Sequence, residues 1–212
     1  MSLPAAQHRF SADDFLVWEA GQERKHEYLD GEVFAMAGAS DAHVTIAGNL
    51  FIALRTHLRS GPCSVYISDM KLHAAADNAF FYPDVFVTCS QTDRAQNLTK
   101  GEPSLIAEVL SPGTAAYDRG QKFAAYRRFP TLREYLLVDS ERVAVELFRR
   151  DEDSNLWVLH PFAADEQVTL SSVGLTLPVS ALYEDVQLER GGASTAQVNA
   201  PADQAGHAAR SD

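Results

Sequence analysis

Apolar residues fall along this chain in two rhythms. In DAHVTIAGNLFIALRTHLRS, residues 41 to 60, Val44, Ala47, Leu50, Phe51, Leu54 and Leu58 recur at steps of three and four. That spacing lines one side of a helix, which Ser40 and Asp41 cap and Gly61-Pro62 ends. Elsewhere the apolar and β-branched residues come in short runs: CSVYISDM, KLHAAA, AFFYPDVFVTC, SLIAEVLS, LREYLLVDS, RVAVELFRR, NLWVLHPF and QVTLSSVGLTL. These read as strands, and the run through YPDVFV, apolar on both sides, reads as a central one.

Capping and turn residues punctuate the rest. Ser11 heads a short helix to about Glu19, with Asp13 and Asp14 at its positive end and Gly21 past its close. Asp30-Gly31, between Tyr28-Leu29 and Val33-Phe34, is a two-residue hairpin signal. Glu27 and Glu32 lie on its arms, where a solvated face is the ordinary outcome. Thr114 is a candidate cap for a helix carrying Tyr117, Phe123, Ala124 and Tyr126 to about Phe129, before Pro130. Residues 89 to 103 are polar and read as an exposed loop, and VSALYEDV as one closing helical turn. From about Arg190 the chain has almost no large apolar side chain, so residues 190–212 are expected as a disordered tail behind one domain, 1–189.

Two acids break the strand pattern. Glu108 sits in SLIAEVLS and Asp84 in FFYPDVFV, and a carboxylate in a core strand is costly unless it is paired or holds a metal. Pro83 donates no backbone hydrogen bond, so a bulge or strand end is expected there, where Asp84 can be re-aimed. Lys122 lies on the helix after Glu108. If the two strands are neighbours, the carboxylates converge at one edge of the sheet. Hard oxygen ligands of this kind favour magnesium or manganese, and the Val109 carbonyl could add another. An ion-pair network in which Asp84 and Glu108 meet arginines is the alternative.

Composition narrows the picture. The chain has 212 residues, 46% hydrophobic and 22% charged, as expected for one globular domain. It has no apolar run long enough to span a bilayer, and MSLPAAQHRF lacks the apolar core of a signal peptide, so a cytoplasmic protein without membrane contact is expected. Cys63 and Cys89 are too few for a disulfide framework or a four-cysteine zinc site and read as buried, reduced thiols. A net charge of −11 argues against a surface coated for nucleic acid, though not against a local basic groove. Arg119, Lys122, Arg127, Arg128 and Arg133 gather on and after one helix, where they read either as a solvated face or as phosphate contacts.

The stretches EYLDGEVFAMAG, the helix beginning at His43, YPDVFV, and EVLSPGTAAYDRGQKFAAYRRFPTLREYLLVD together resemble the Uma2 family (DUF820) of the PD-(D/E)XK nuclease superfamily, from about Phe10 to Val186. The resemblance implies an α/β, restriction-endonuclease-like core, a central mixed β-sheet flanked by helices, with extra β-hairpins. It places the superfamily's acids at Asp84 and Glu108. The superfamily's lysine usually lies two residues after the second acid, where this chain has Leu110; Lys122, on the following helix, would replace it. The resemblance also brings in His43 on the first core helix. Tyr126 shares a helical face with Lys122, and Glu32, Asp69 and Asp118 are candidates for a supporting role. It implies a Mg2+- or Mn2+-dependent endonuclease acting on DNA, with Arg119, Arg127 and Arg128 as candidate DNA contacts and a homodimer to make two cuts. A catalytically inactive binding or regulatory protein on the same fold, and a hydrolase of small phosphoesters, are the alternatives.

Overall fold

The computed structural model describes residues 10–188; the expected tail, from 190 onward, lies outside the described residues. The chain opens with α1 (Ala12–Glu19), where Ser11 Oγ accepts from the Asp14 amide at 3.1 Å. The hairpin of β1 (His26–Leu29) and β2 (Glu32–Ala35) turns through Asp30 and Gly31, both at positive φ, as a type I′ turn requires. Next come α2 (Asp41–Leu58), capped by Ser40 Oγ, then β3 (Ser64–Ile67), β4 (Lys71–Ala74), β5 (Ala79–Phe81) and β6 (Val85–Thr88). The short α3 (Gln91–Ala95) and β7 (Thr99–Lys100) lead into β8 (Leu105–Leu110). A helical stretch follows as α4 (Ala115–Tyr117), a π turn (Asp118–Lys122) and α5 (Phe123–Tyr126). The chain then forms β9 (Glu134–Asp139), β10 (Val145–Arg150), β11 (Trp157–Phe162), the hairpin β12 (Gln167–Leu170) and β13 (Leu175–Pro178), and α6 (Val179–Leu182).

The central sheet is six-stranded in the order β11-β10-β9-β8-β6-β3. It is mixed: β8 and β9 run parallel, and the other neighbours antiparallel. A second sheet, β2-β1-β5-β4-β7, carries the hairpin. Strand alternation sorts β8 into two cores. Leu105, Ala107 and Val109 pack with Leu50 and Leu54 of α2 and with the β12–β13 hairpin. Ile106 and Leu110 face the other way, onto Tyr126 and onto Leu72 and Phe81 of the second sheet. Glu108 has the parity of Ile106 and Leu110, so it points between the helix and the second sheet.

The α/β architecture with a flanked mixed sheet is as expected; several local details are not. FFYPDVFV is two strands: β5 belongs to the second sheet and β6 to the central one, and the chain crosses between them at Tyr82-Pro83-Asp84. Proline cannot continue a ladder, and here it marks the crossing. The buried side of α2 runs through Ile46, Ala47, Leu50, Leu54 and Leu58, while Val44 is exposed. Residues 89–103 are partly ordered and buried. Asp93 accepts from the Gly101 and Glu102 amides, and the Lys100 ammonium donates to the Asp93 carbonyl. Thr114 makes no side-chain cap; its hydroxyl instead meets that of Ser111 at 3.0 Å. Cys63 and Cys89 are neither reduced nor both buried: they form a disulfide one step beyond the Ser64–Thr88 pair of the β3–β6 ladder, with Cys89 exposed. Their separation of 26 residues conceals the pairing, which only the register creates.

Candidate active site

The β6–β8 register pairs Val85 with Ala107. One step further, Asp84 and Glu108 stand opposite each other, where β6 begins and β8 nears its end. Their carboxylates are tied reciprocally to the two backbones. The Asp84 amide donates to Glu108 Oε2 at 3.2 Å, and the Val109 amide donates to Asp84 Oδ2 at 2.8 Å. The helix N-terminus of α2 delivers His43, whose Nε2 lies 3.0 Å from Asp84 Oδ1.

Lys122 comes from the π turn. One extra residue in the turn shifts the helical phase, and such turns recur at functional sites. Here it brings Nζ to 3.1 Å from Glu108 Oε1, and Tyr126 OH donates to the same oxygen at 2.8 Å. The ammonium also meets Glu27 Oε1 at 3.0 Å and Asp118 Oδ1 at 3.5 Å. An ammonium has three hydrogens, and three carboxylates surround this one.

The electrostatics follow from burial and crowding. Burial pushes the Glu108 carboxyl well above the usual carboxylate range; Lys122 opposes this, and Asp84, Asp118 and Glu27 reinforce it. Burial also raises Glu27 and Asp118, against the pull of Lys122. For Lys122 burial acts downward, but Glu108, Glu27 and Asp118 outweigh it and hold the ammonium firmly protonated. These residues line a cleft of about 1300 Å³ with Asp41, His43, Val109, Ser111, Thr114, Tyr117, Ser140 and Glu141. Its acids are Glu27, Asp41, Asp84, Glu108, Asp118 and Glu141, against Lys122 and His43.

That surplus of negative charge fits a divalent cation, as does the all-oxygen donor set of two carboxylates beside the Val109 backbone. Among the described residues, no group of three or more His, Cys, Asp or Glu side chains forms a ready-made metal cage. Magnesium, which keeps several waters and takes few protein ligands, suits such a sparse set.

Of the candidate site residues, the fold brings together Asp84, Glu108, Val109, Lys122, His43, Tyr126 and Asp118. It leaves out two. Glu32 is exposed on β2, paired with Leu29, and Asp69 is exposed in the β3–β4 turn; neither lines the cleft. The acid that enters from the hairpin is Glu27. Tyr28, next to it, packs against Phe15 and Phe80, so strand alternation turns Glu27 to the other side, towards Lys122. The candidate DNA-contacting arginines also lie away from the cleft. Arg119 donates to Glu146 at 3.0 Å, Arg128 pairs with Asp77, and Arg127 lies with Arg128 beside Phe123, Arg150 and Trp157.

Comparison with known proteins places the chain in a family and a fold. The sequence model of the Uma2 family, described as "Putative restriction endonuclease", matches residues 12–180. The chain belongs to the Uma2 family. Two relatives from Synechocystis sp. (strain PCC 6803) bear the names "Uncharacterized protein slr1290" and "Uncharacterized protein sll1609". The first is 38% identical over 82% of this chain and 92% of its own, and the second 36% identical over 75% and 90%. A crystal structure from Anabaena variabilis, described as "a putative nuclease belonging to DUF820", superposes with a TM-score of 0.68 at 15% identity, over 82% of this chain and 98% of that one. At that identity the likeness is one of fold. Family and fold are those of restriction-endonuclease-like nucleases.

Proposed function

We propose that this Uma2-family protein is a DNA endonuclease that hydrolyses phosphodiester bonds with Mg2+ or Mn2+. The observation that carries the reading is the facing pair Asp84 and Glu108 with the Lys122 ammonium 3.1 Å from Glu108. Asp84, Glu108 and the Val109 carbonyl would hold the cation, which when bound supplies charge neutralisation and activation of water. Lys122, protonated and desolvated, stabilises negative charge that develops on the phosphate. The surrounding acids favour its protonated form, which suits it to that role; helping to deprotonate the attacking water is the alternative role. His43 orients Asp84 through their 3.0 Å contact, and Tyr126 fixes Glu108.

The test is cleavage of supercoiled plasmid and of branched DNA with Mg2+, Mn2+ or EDTA. The wild type nicks DNA only with metal, and Asp84→Ala and Lys122→Ala each slow it by on the order of 100-fold or more. Equal nicking by wild type and Asp84→Ala assigns the activity to a contaminant and rejects the proposal.

One observation favours a second reading, a catalytically inactive nuclease-fold protein that binds or regulates: the cleft's acids outnumber its cations, which repels a phosphate until metal is bound. Calorimetric titration with Mn2+ separates the two, since the nuclease requires binding that Glu108→Gln abolishes.

The finer assignments belong to the same proposal. A homodimer would use the β11 edge of the central sheet, where Val158 and Leu159 are exposed. No helix among the described residues is long and apolar enough to cross a membrane. A cytoplasmic location is part of the same proposal, and the redox state of the Cys63–Cys89 pair in cells tests it, since such bonds are rare in that compartment.

A further inference from the structure

We infer that Glu27 is the positioning residue for Lys122: the hairpin of the second sheet supplies a buried carboxylate that holds the displaced lysine at the site. The inference rests on the nuclease reading for its kinetic consequence, though not for its geometry.

Lys122 reaches the acids from a helix rather than from the strand that carries Glu108. A lysine stem is flexible along four carbons and loses rotamer freedom when held in place, so a long reach needs fixing. Glu108 alone leaves the ammonium free to swing about one contact. Glu27 supplies the second close contact, at 3.0 Å, from the opposite wall of the cleft. Its own position is set by the Tyr82 amide, which donates to Glu27 Oε1 at 3.3 Å, at the point where the chain crosses between sheets just before Asp84. One short segment, Tyr82-Pro83-Asp84, thus fixes both the carboxylate facing Glu108 and the anchor of the lysine. Glu27 has 5% of its surface exposed, which removes a solvated hairpin face as its role. The third carboxylate, Asp118, is more distant at 3.5 Å and lies on the same π turn as Lys122, so it cannot tie the lysine to another element.

A double-mutant cycle on the full chain tests this. Cleavage of plasmid DNA is measured for the wild type, Glu27→Gln, Lys122→Gln and the double variant. Glu27→Gln is expected to lower kcat by on the order of 10- to 100-fold with KM nearly unchanged, as a misplaced catalytic group does. The double variant should be no slower than Lys122→Gln alone, and Glu27→Asp should recover part of the rate. Losses that multiply in the double variant would show Glu27 acting other than through Lys122 and overturn the inference.

A second arm needs no substrate. The side-chain ammonium of Lys122 should give a 1H–15N NMR signal protected from water exchange in the wild type. Glu27→Gln should lose it, and Glu27→Asp should keep it in part. A signal equally protected in Glu27→Gln overturns the inference. If the wild type cleaves no DNA while the ammonium signal behaves as expected, the nuclease reading fails and the positioning role stands.

Discussion

Asp84 and Glu108 stand out in the sequence because a carboxylate inside an apolar strand needs a reason. Lys122 does not stand out in that way. Its place on the helix after Glu108 suggests it, the resemblance to the Uma2 family makes it the stand-in for the lysine missing at Leu110, and the π turn that aims it follows from no spacing rule. Glu27 is the least legible of the set: a hairpin arm can present either face to water, and only the second sheet buries this one. The same crowding makes a prediction about pH. Glu27 and Asp118 titrate above the ordinary carboxylate range of about 4, because burial disfavours their charged forms. The fold therefore binds more protons than the unfolded chain between the ordinary and the raised values, and these groups destabilise it as pH rises through that window. The metal-free protein should melt at a higher temperature near pH ~5 than near pH ~7, and Glu27→Gln should reduce that difference without removing it, because Glu108 and Asp118 are raised as well. Thermal melts followed by circular dichroism decide it; a wild-type melting temperature that climbs steadily from about pH 5 to 7 contradicts the assignment.

Among elements, the long helix and the apolar strands are visible in the sequence through their periods, 3.6 and 2. The boundaries that matter to the site are hidden. The run FFYPDVFV reads as one strand, yet Pro83 hands the chain from one sheet to the other and leaves Asp84 at the start of β6. The β3–β6 ladder that carries Asp84 at one end carries the Cys63–Cys89 disulfide at the other. Closing a loop between residues 26 apart constrains the unfolded chain by about 3 kcal/mol. Reduction should therefore lower the melting temperature by on the order of 10 °C. Metal affinity should be unaffected, because Ile67 and Val85 still pair at the Asp84 end. Melts and Mn2+ titrations with and without a thiol reductant check both; an unchanged melting temperature shows that the bond does not constrain the unfolded chain.

For the whole molecule, the α/β class, the mixed sheet and the flanking helices follow from alternation and from family resemblance together. The charge distribution does not follow from the sequence. The net charge of −11 includes a concentrated set of acids in one cleft, whereas the arginines of the helical region pair with Glu146 and Asp77 or gather near Trp157. Counting charge along the chain cannot reveal that separation. Two copies joined through β11 would cover Val158 and Leu159. Sedimentation velocity should show a dimer that Leu159→Lys converts to a monomer, whereas a monomeric wild type rules out this interface. The nuclease assignment depends on what the facing carboxylates hold. Its most direct test is a crystal soaked in Mn2+, with anomalous diffraction recorded to locate the ion. An anomalous peak is expected between the Asp84 and Glu108 carboxylates, beside the Val109 carbonyl and within reach of the Lys122 site. Saturating Mn2+ that leaves no peak there, or that binds only elsewhere in the protein, would contradict it.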